Sequence, residues 1–347
     1  MSSGIPIKDG IAAFVLAFMV TAALLPRAIR ALQGFGAGQI VSRDGPESHL
    51  AKEGTPTMGG LALLVGLMFA SVTLGLIHEA EGVVYGFVFG GSGLIAALAL
   101  IAGYGLLGFL DDYLIVSRGK ALGLKARHKL LGQFLLAAGF MVYFGRTGGE
   151  TYVHLPAAGR VELGNYYYVL AAFFIVGMSN AVNLTDGLDG LVAGLSVAVA
   201  GSFGVLLTLF IVGVGAPIDP ALVIICAAMA GASLAFLWFN AHPARIFMGD
   251  TGSLALGAGL AAAAIMAKQE FALLVFGLVF VVEALSVIIQ VISFKTTGKR
   301  VFKMSPIHHH FELCGWPEQK IVVRFWIAGL LCCALGSALS ISMMRVF

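Results

Sequence analysis

The sequence predicts an all-α integral membrane protein. Of its 347 residues, 59% are hydrophobic and 11% are charged, whereas a soluble domain carries about 25% charged residues. The apolar runs are about 20 residues long, which is the length that a helix needs to cross a bilayer and roughly twice that of a barrel strand. The first run is expected to be a true span, because no cleavage signal for a secretory peptide accompanies it.

Ten spans are predicted, and because ten is even, both termini are expected on the same side of the membrane. A small β-hairpin is predicted near residues 150–165, where polar and apolar residues alternate on both sides of Pro156 and Gly159. No soluble segment or long repeat interrupts the pattern, so residues 1–347 are expected to form a single polytopic domain. The spans cover approximately residues 9–27, 58–77, 89–110, 129–145, 167–183, 190–213, 220–239, 251–267, 271–293 and 321–344.

Lysine and arginine are concentrated in the loops that follow the odd-numbered spans. These loops and their flanks hold 16 of the 21 residues of these two types. The positive-inside rule therefore predicts that the odd-numbered loops lie in the cytoplasm and that both termini lie outside. Nearly all of the unusual polar chemistry falls in the same loops, so we expect a site at the cytoplasmic face.

The most polar stretch between two apolar runs is residues 180–190. Asp186 and Asp189 are three positions apart and would share one face if a helix began here. Carboxylates at a membrane boundary are costly unless they are paired, bind a metal or face water. The glycines of this stretch allow a ligand to approach the backbone closely. The stretch therefore predicts a site for a metal and a phosphate-bearing substrate.

Two adjacent carboxylates, Asp111 and Asp112, follow the third predicted span. A helix C-terminus repels anions, and a bound cation would reverse that effect. Oxygen ligands suit Mg²⁺, which keeps several bound waters and also coordinates substrate phosphates. Asp250, at the start of the eighth span, is interpreted as a helix cap or as a metal ligand. A Mg²⁺ site among these aspartates is the functional prediction, and a solvated pair and a simple cap are the alternatives.

Spans 2, 6 and 8 begin with glycine-rich segments on the predicted cytoplasmic side. Free N–H groups and the positive end of the dipole make such helix starts suitable for anions. The basic segment 125–129 indicates either a grip on phosphate or positive-inside anchoring. Residues 103–108 match the G-x-G-x-x-G pattern, but no strand precedes them, so we interpret them as helix-packing residues.

Further polar residues lie in the ninth span and in the loop that follows it. Glu283 and Gln290 are in or near the inner half of the span, where an intramembrane glutamate indicates either function or pairing with a neighbouring helix. His308, His309 and His310 come next. Three consecutive residues of a helix point in different directions, so they are poor joint ligands for one metal but possible hydrogen-bond donors to phosphate or sugar oxygens.

Together these motifs resemble the phospho-N-acetylmuramoyl-pentapeptide transferase family. The aspartate motifs alone mark the wider superfamily of polyprenyl-phosphate sugar-1-phosphate transferases. The histidine triplet, with Pro306 before it and Phe311 and Glu312 after it, is specific to the muramoyl branch. The matching segments keep the order of the family over almost the whole chain and are residues 44–49, 54–60, 111–112, 183–190, 247–250 and 306–312.

The resemblance implies a Mg²⁺-dependent enzyme of the bacterial plasma (inner) membrane, often a homodimer, that does not act on nucleic acid. The implied reaction transfers phospho-N-acetylmuramoyl-pentapeptide from UDP-N-acetylmuramoyl-pentapeptide to undecaprenyl phosphate. The products would be lipid I and UMP, and the step would belong to peptidoglycan synthesis. The enzyme would contact membrane lipid throughout.

The resemblance also implies roles for individual residues. Asp250 would be the main metal ligand, and Asp111 and Asp112 would assist the metal or deprotonate the lipid phosphate. The three histidines would contact the diphosphate or the sugar. The residues implied to hold uridine are Gly187, Leu188, Asp189 and Phe247. The other residues implied or expected to contact substrate are Lys52, Thr57, Lys125, Lys129, Asn180, Asn183, Asp186, Asn240 and Gln290.

Two other functions and one other mechanism stay open from the sequence. The sugar could be N-acetylglucosamine phosphate, as in a sister branch of the superfamily. The chain could instead be an ion-coupled transporter with midplane carboxylates and broken helices, although only Glu283 lies well inside a span. For the transferase, a covalent acyl-phosphate on an aspartate competes with direct transfer.

Overall fold

The computed structural model of the protein describes residues 5–35, 38, 52, 54–80, 93–118, 123–156 and 158–344. Segment 44–49 of the family resemblance lies outside the described residues, as does the start of the third predicted span. The described elements are α1 (Ile5–Gly34), α2 (Gly60–Ala80), α3 (Gly93–Arg118), α4 (Ala126–Arg146), β1 (Tyr152–Leu155), β2 (Gly159–Glu162), α5 (Tyr166–Leu184), α6 (Leu191–Val214), α7 (Ala221–Asn240), α8 (Gly249–Met266), α9 (Glu270–Phe276), α10 (Leu278–Thr297), α11 (Ile307–Glu312) and α12 (Glu318–Met344).

Within these described residues, nine helices are long and apolar enough to cross a membrane. The prediction of an all-α integral membrane protein is therefore confirmed. The fourth predicted span, residues 129–145, is not among these nine but is present as α4, which has 21 residues. Arg127, His128, Lys129 and Gln133 occupy its first two turns and make it less apolar than the others.

The ninth predicted span is not one helix, which corrects the prediction for residues 271–293. It is divided at Gly277, which ends α9 and precedes α10. The Gly277 N–H still donates to the Leu273 carbonyl, but its backbone leaves the helical region at φ −91° and ψ 21°. Apolar periodicity continues across the break, so the sequence pattern alone could not reveal it.

Helix α8 is the centre of the bundle, since almost all of its residues are buried. Most of its residues are glycine, alanine or serine, and these small residues allow neighbouring backbones to come close. A Cβ atom on Gly257 would lie 2.6 Å from Ser179 Cα in α5, and one on Gly108 in α3 would lie 2.2 Å from the Asp250 carbonyl oxygen. These contacts confirm that glycines of segment 103–108 serve helix packing.

The predicted hairpin is present at the C-terminal end of α8. Strands β1 and β2 pair antiparallel, with Tyr152 opposite Glu162. Lys268 holds the hairpin to the bundle, because its ammonium donates to the Glu150 carbonyl at 2.9 Å and to Glu270 Oε1 at 3.3 Å and lies 3.7 Å from the centre of the Tyr167 ring. Burial lowers the pKa of Lys268, and the Glu270 carboxylate opposes that effect.

Candidate active site

A carboxylate from α3 holds the N-terminus of α8. Asp112 Oδ1 accepts the Asp250 N–H at 3.0 Å, and its Oδ2 accepts the Thr251 N–H at 3.0 Å and the Thr251 hydroxyl at 2.6 Å. Gly249 precedes these residues with φ +72°, and a Cβ there would lie 2.6 Å from Asp112 Oδ2. A side chain at this position would therefore be both strained and in collision with the carboxylate.

This geometry corrects the placement of the aspartate pair at a helix C-terminus. Helix α3 continues to Arg118, so Asp111 and Asp112 lie about two turns before its end. The buried Asp112 carboxylate is stabilised by the positive end of α8 rather than opposed by the negative end of α3. Both of its oxygens are occupied by these bonds.

Lys129 joins Asp111 and Asp250. Its Nζ lies 3.1 Å from Asp111 Oδ2 and also donates to Asp250 Oδ2. The remaining oxygen of each carboxylate has another partner, since Asp111 Oδ1 accepts the Leu124 N–H and Asp250 Oδ1 accepts the Asn183 amide at 2.7 Å. Lys129 and Asp250 keep 17% and 20% of their side-chain surface exposed, so a ligand can reach this cluster.

The same cluster fits a divalent cation. Two carboxylates already converge on one positive charge, and hard oxygen ligands of this kind are those that Mg²⁺ prefers. Asp250 and Asp111 would hold the ion, which would supply positive charge for a substrate phosphate. Asp112 is less suited to that role, because both of its oxygens already bind the start of α8.

A second charged cluster surrounds Asp189. Its Oδ1 lies 2.7 Å from Lys52 Nζ, and its Oδ2 lies 3.1 Å from His242 Nδ1 and 3.0 Å from the Ala244 N–H. Glu318, the first residue of α12, lies 2.6 Å from the same lysine nitrogen. Among the described residues, Asp189, His242 and Glu318 are close enough together to suggest a metal site. The Lys52 ammonium already supplies the positive charge that such a group requires.

Residues 185–190 form turns rather than a helix, because α5 ends at Leu184 and α6 begins at Leu191. Asp186 and Asp189 therefore do not share a helix face, which corrects that expectation. Asp189 is directed to Lys52 and His242. Burial, reinforced by the Asp250 and Asp112 carboxylates, raises the pKa of Asp186 to about 8.

Two of the predicted asparagines are held by protein partners. Asn240 is buried, accepts the Gly190 N–H at 3.0 Å and donates to the Ile246 carbonyl at 2.8 Å, so it fixes the end of the 185–190 turn. Asn180 exchanges hydrogen bonds with Gln133 of α4, at 2.7 Å and 3.3 Å. Sequence reasoning missed Gln133, since a single glutamine in an apolar helix carries no motif.

The three histidines of α11 have three different surroundings. His308 is fully buried, with Nδ1 3.1 Å from Glu283 Oε1, and its Nε2 would lie 2.3 Å from a Cβ on Gly187. His309 Nδ1 lies 2.6 Å from Glu312 Oε2. His310 Nδ1 accepts the Lys303 N–H at 3.2 Å. The prediction that consecutive histidines point in different directions is confirmed.

The other predicted site residues lie around these clusters. Gln290 holds the backbone of the loop after α10, accepting the Val301 and Phe302 N–H groups at 3.0 and 2.9 Å. Thr57 is half-buried. The residue before it, Pro56, accepts the Phe247 N–H at its carbonyl at 2.8 Å, so the segments of Thr57 and Phe247 lie side by side. Lys125 is exposed before α4, Leu188 is buried, and Gly187 is half-buried.

Comparison with known proteins identifies the family. The chain matches the family model described as glycosyl transferase family 4 over residues 94–268, and signature 1 of phospho-N-acetylmuramoyl-pentapeptide-transferase over residues 52–64. Proteins of that name from Bacillus thuringiensis (strain Al Hakam) and Bacillus cereus (strain AH187) are each 47% identical over 323 residues, which is 92% of this chain and 94% of the relative. The chain belongs to the phospho-N-acetylmuramoyl-pentapeptide transferase family.

Both matched regions contribute residues to the site. The transferase signature contains Lys52 and Thr57, and the glycosyl transferase model contains Asp111, Asp112 and Asp250. The Asp250 cluster consists of Asp111, Lys129 and Asp250, and the Asp189 cluster consists of Lys52, Asp189, His242 and Glu318. Residues 183–189 connect the two clusters, because Asn183 contacts Asp250 and Asp189 contacts Lys52.

Proposed function

We propose that this protein transfers phospho-N-acetylmuramoyl-pentapeptide from its UDP carrier to undecaprenyl phosphate, releasing UMP. Family membership supports the transferase class. The structural observation that supports the chemistry best is the convergence of Asp111, Asp250 and Lys129 at the start of α8. With a divalent cation bound, such a cluster could bind a diphosphate and neutralise charge that develops on it.

In the proposed reaction, an oxygen of the lipid phosphate attacks the sugar-side phosphorus of the donor. A new phosphorus–oxygen bond forms, and the bond from that phosphorus to the bridging oxygen breaks. UMP leaves with the bonding electron pair. A phosphate monoester has a second pKa of about 6 and is mostly dianionic at neutral pH, so the acceptor needs little help from a base. Alignment and charge neutralisation supply most of the catalysis.

We assign a bound Mg²⁺ to Asp250, with Asp111 beside it. The ion would supply charge neutralisation on the diphosphate. Asn183 would orient Asp250 through its bond to Oδ1. Lys129, which contacts both carboxylates in this structure, would direct its ammonium to the phosphates of a bound donor. Asp112 would keep the first turn of α8 in place and take no direct part.

We assign the uridine part of the donor to the neighbourhood of the 185–190 turn. Two hydrogen bonds fix this turn against the segment that follows α7. Asn240 accepts the Gly190 N–H of the turn, and Asp189 of the turn accepts the Ala244 N–H. Phe247 lies on the adjoining segment, where a partly exposed ring can stack on a base. Phosphates of a donor bound here would extend toward Asp250, since Asp186 and Asn183 connect the two clusters along the chain.

A transfer assay in detergent tests this proposal. Purified protein is mixed with UDP-N-acetylmuramoyl-pentapeptide and undecaprenyl phosphate, and UMP and the lipid product are measured with Mg²⁺ and with chelator. We expect UMP release that requires Mg²⁺ and both substrates. Release with UDP-N-acetylglucosamine instead would assign the protein to the sister branch. No release with either donor, from a sample with a cooperative melting transition, would overturn the proposed function.

A further inference from the structure

Glu318 lies where three distant segments meet, and it belongs to none of the motifs described above. Its Oε1 accepts the Lys52 ammonium at 2.6 Å and the Asp189 N–H at 2.7 Å. Its Oε2 lies 3.7 Å from His242 Nδ1. The side chain is only 11% exposed. One carboxylate thus contacts the segment before α2, the 185–190 turn and the segment after α7.

Among the described residues, the Lys52 ammonium uses two of its three N–H donors. Its nitrogen makes two hydrogen bonds to the described residues, one to Asp189 Oδ1 and one to Glu318 Oε1. An ammonium group has three N–H donors, and Lys52 keeps 13% of its side-chain surface exposed. The remaining N–H can therefore reach a carbonyl or phosphate oxygen of a ligand, and the two carboxylates fix the direction in which it points.

Glu318 is itself held rigidly. It is the first residue of α12, where a carboxylate is favoured by the helix dipole. Two residues earlier, the Trp316 ring stacks on Phe311 of α11 with 4.8 Å between ring centres, and the Arg324 guanidinium lies 4.2 Å from the centre of the Trp316 ring. The start of α12 is therefore anchored to α11, and Glu318 transmits that position to Lys52.

We infer that Glu318 is a positioning residue for the nucleotide of the donor, acting through Lys52 and the backbone of Asp189. This inference rests on the proposed function, because it assumes a uridine nucleotide at the 185–190 turn. Without Glu318, Lys52 loses one of its two anchors and the Asp189 N–H loses its acceptor. Donor affinity should fall as a result, while the lipid acceptor, which approaches the Asp250 cluster, should be unaffected.

The test compares Glu318→Gln, Lys52→Met and the double variant. Binding of UMP is measured by calorimetry, and KM is measured separately for the donor and for undecaprenyl phosphate. Loss of a hydrogen bond to a charged group corresponds to roughly a ten- to hundredfold loss of affinity. We expect Glu318→Gln to weaken UMP binding and to raise the donor KM by about this factor, with the lipid KM unchanged. Glu162→Gln, on the exposed hairpin, is the matched control.

The double variant distinguishes positioning from a general structural effect. The glutamine amide oxygen can still accept the Asp189 N–H, so Glu318→Gln removes mainly the charge that holds Lys52. Added to Lys52→Met, it should therefore change UMP affinity by no more than about twofold. Additive losses, an equal rise of both KM values, or unchanged donor affinity would overturn the inference. Should Glu318→Gln fail to fold, Glu318→Asp, which keeps the charge but retracts it, serves the same comparison.

The outcome for the wild-type protein separates this inference from the proposed function. Wild-type protein that binds UMP but releases none from the donor would contradict the proposed function, and the UMP titrations of the variants would still decide the role of Glu318. Wild-type protein that turns over normally while Glu318→Gln binds UMP with unchanged affinity would contradict only the inference. Absence of UMP binding in the wild type would overturn both.

Discussion

Asp186 is a carboxyl group of the site whose ionisation is shifted into the neutral range. Burial, with help from Asp250 and Asp112, raises its pKa to about 8. An unfolded chain releases this proton near pH 4. Between about pH 4 and pH 8, the folded protein therefore binds one proton more than the unfolded chain. By linkage, this group makes the free energy of unfolding fall as pH rises through that window.

Asp186→Asn should remove this pH dependence. Because asparagine does not titrate, we expect the melting temperature of the variant, relative to wild type, to rise between about pH 5 and about pH 9. Thermal unfolding in detergent at both pH values measures the difference. Glu162→Gln, at an exposed position, should show no such trend. A difference between Asp186→Asn and wild type that stays constant with pH would contradict the raised pKa.

Asp250→Asn tests the proposed metal ligand. Asparagine preserves the shape of the side chain but removes its negative charge, so Mg²⁺ binding and charge neutralisation should both suffer. We expect turnover to drop by about a thousandfold and Mg²⁺ to lose its effect on the melting temperature. Asp219→Asn is the matched control, since Asp219 caps α7 near the far end of α8. Normal turnover in Asp250→Asn would remove its assigned role.

The sequence draws attention to individual polar residues, but it could not show which partners they contact. Aspartates, asparagines and histidines at membrane boundaries are unusual enough to be noticed singly. The bonds from Glu318 to Lys52 and from Gln133 to Asn180 join residues 266 and 47 positions apart. No local spacing encodes such pairs. The role of Asp112 was also hidden, because it depends on the start of α8 lying against the last turns of α3.

At the scale of elements, the close approach of α3 to α8 determines the geometry of the aspartates. Gly108 permits it, since its missing Cβ would lie 2.2 Å from the Asp250 carbonyl oxygen. That oxygen is backbone and cannot rotate away. The distance between the two helices therefore also controls the bonds from Asp112 to the Asp250 and Thr251 amides.

Gly108→Ala should consequently reduce both stability and turnover. Overpacking of a tight contact costs about 1–3 kcal/mol, and displacement of α8 would lengthen the Asp112 bonds. Gly139→Ala in α4 is the control, because a Cβ there meets no atom within 4 Å and alanine is favoured over glycine in a helix by about 0.5–1 kcal/mol. Melting temperature and UMP release measure both effects. Equal behaviour of the two variants would contradict the role of this contact.

Element positions were well predicted, and their interruptions were not. Apolar runs of the right length gave α2, α4 to α8 and α12 closely, because the bilayer imposes that length, whereas α1 and α3 continue beyond their predicted ends. The break at Gly277 and the continuation of α3 to Arg118 depend on tertiary packing. In both places the composition gives no signal, since glycine is common in membrane helices and residues 113–118 suit a helix whether or not they lie in the membrane.

For the whole molecule, the distribution of positive charge predicts a cytoplasmic site, and cysteine labelling can test it. Cys314 follows α11 and is exposed, whereas Cys226 and Cys333 are buried. An impermeant maleimide should label Cys314 only after the cells are permeabilised. In a Cys314→Ser background, Glu162→Cys on the hairpin should react in intact cells. The reverse labelling pattern would invert the orientation.

The contact between Lys52 and Glu318 also has a consequence for biosynthesis. The two residues are 266 positions apart, and ribosomes add about 5–20 residues per second. Roughly 13 to 53 s therefore pass between the synthesis of Lys52 and that of Glu318, while the intervening helices enter the bilayer. During translation the proposed nucleotide site is incomplete until the first turn of α12 is made. A chain that has not yet reached α12 consequently lacks the carboxylate that holds Lys52 and the Asp189 N–H in place.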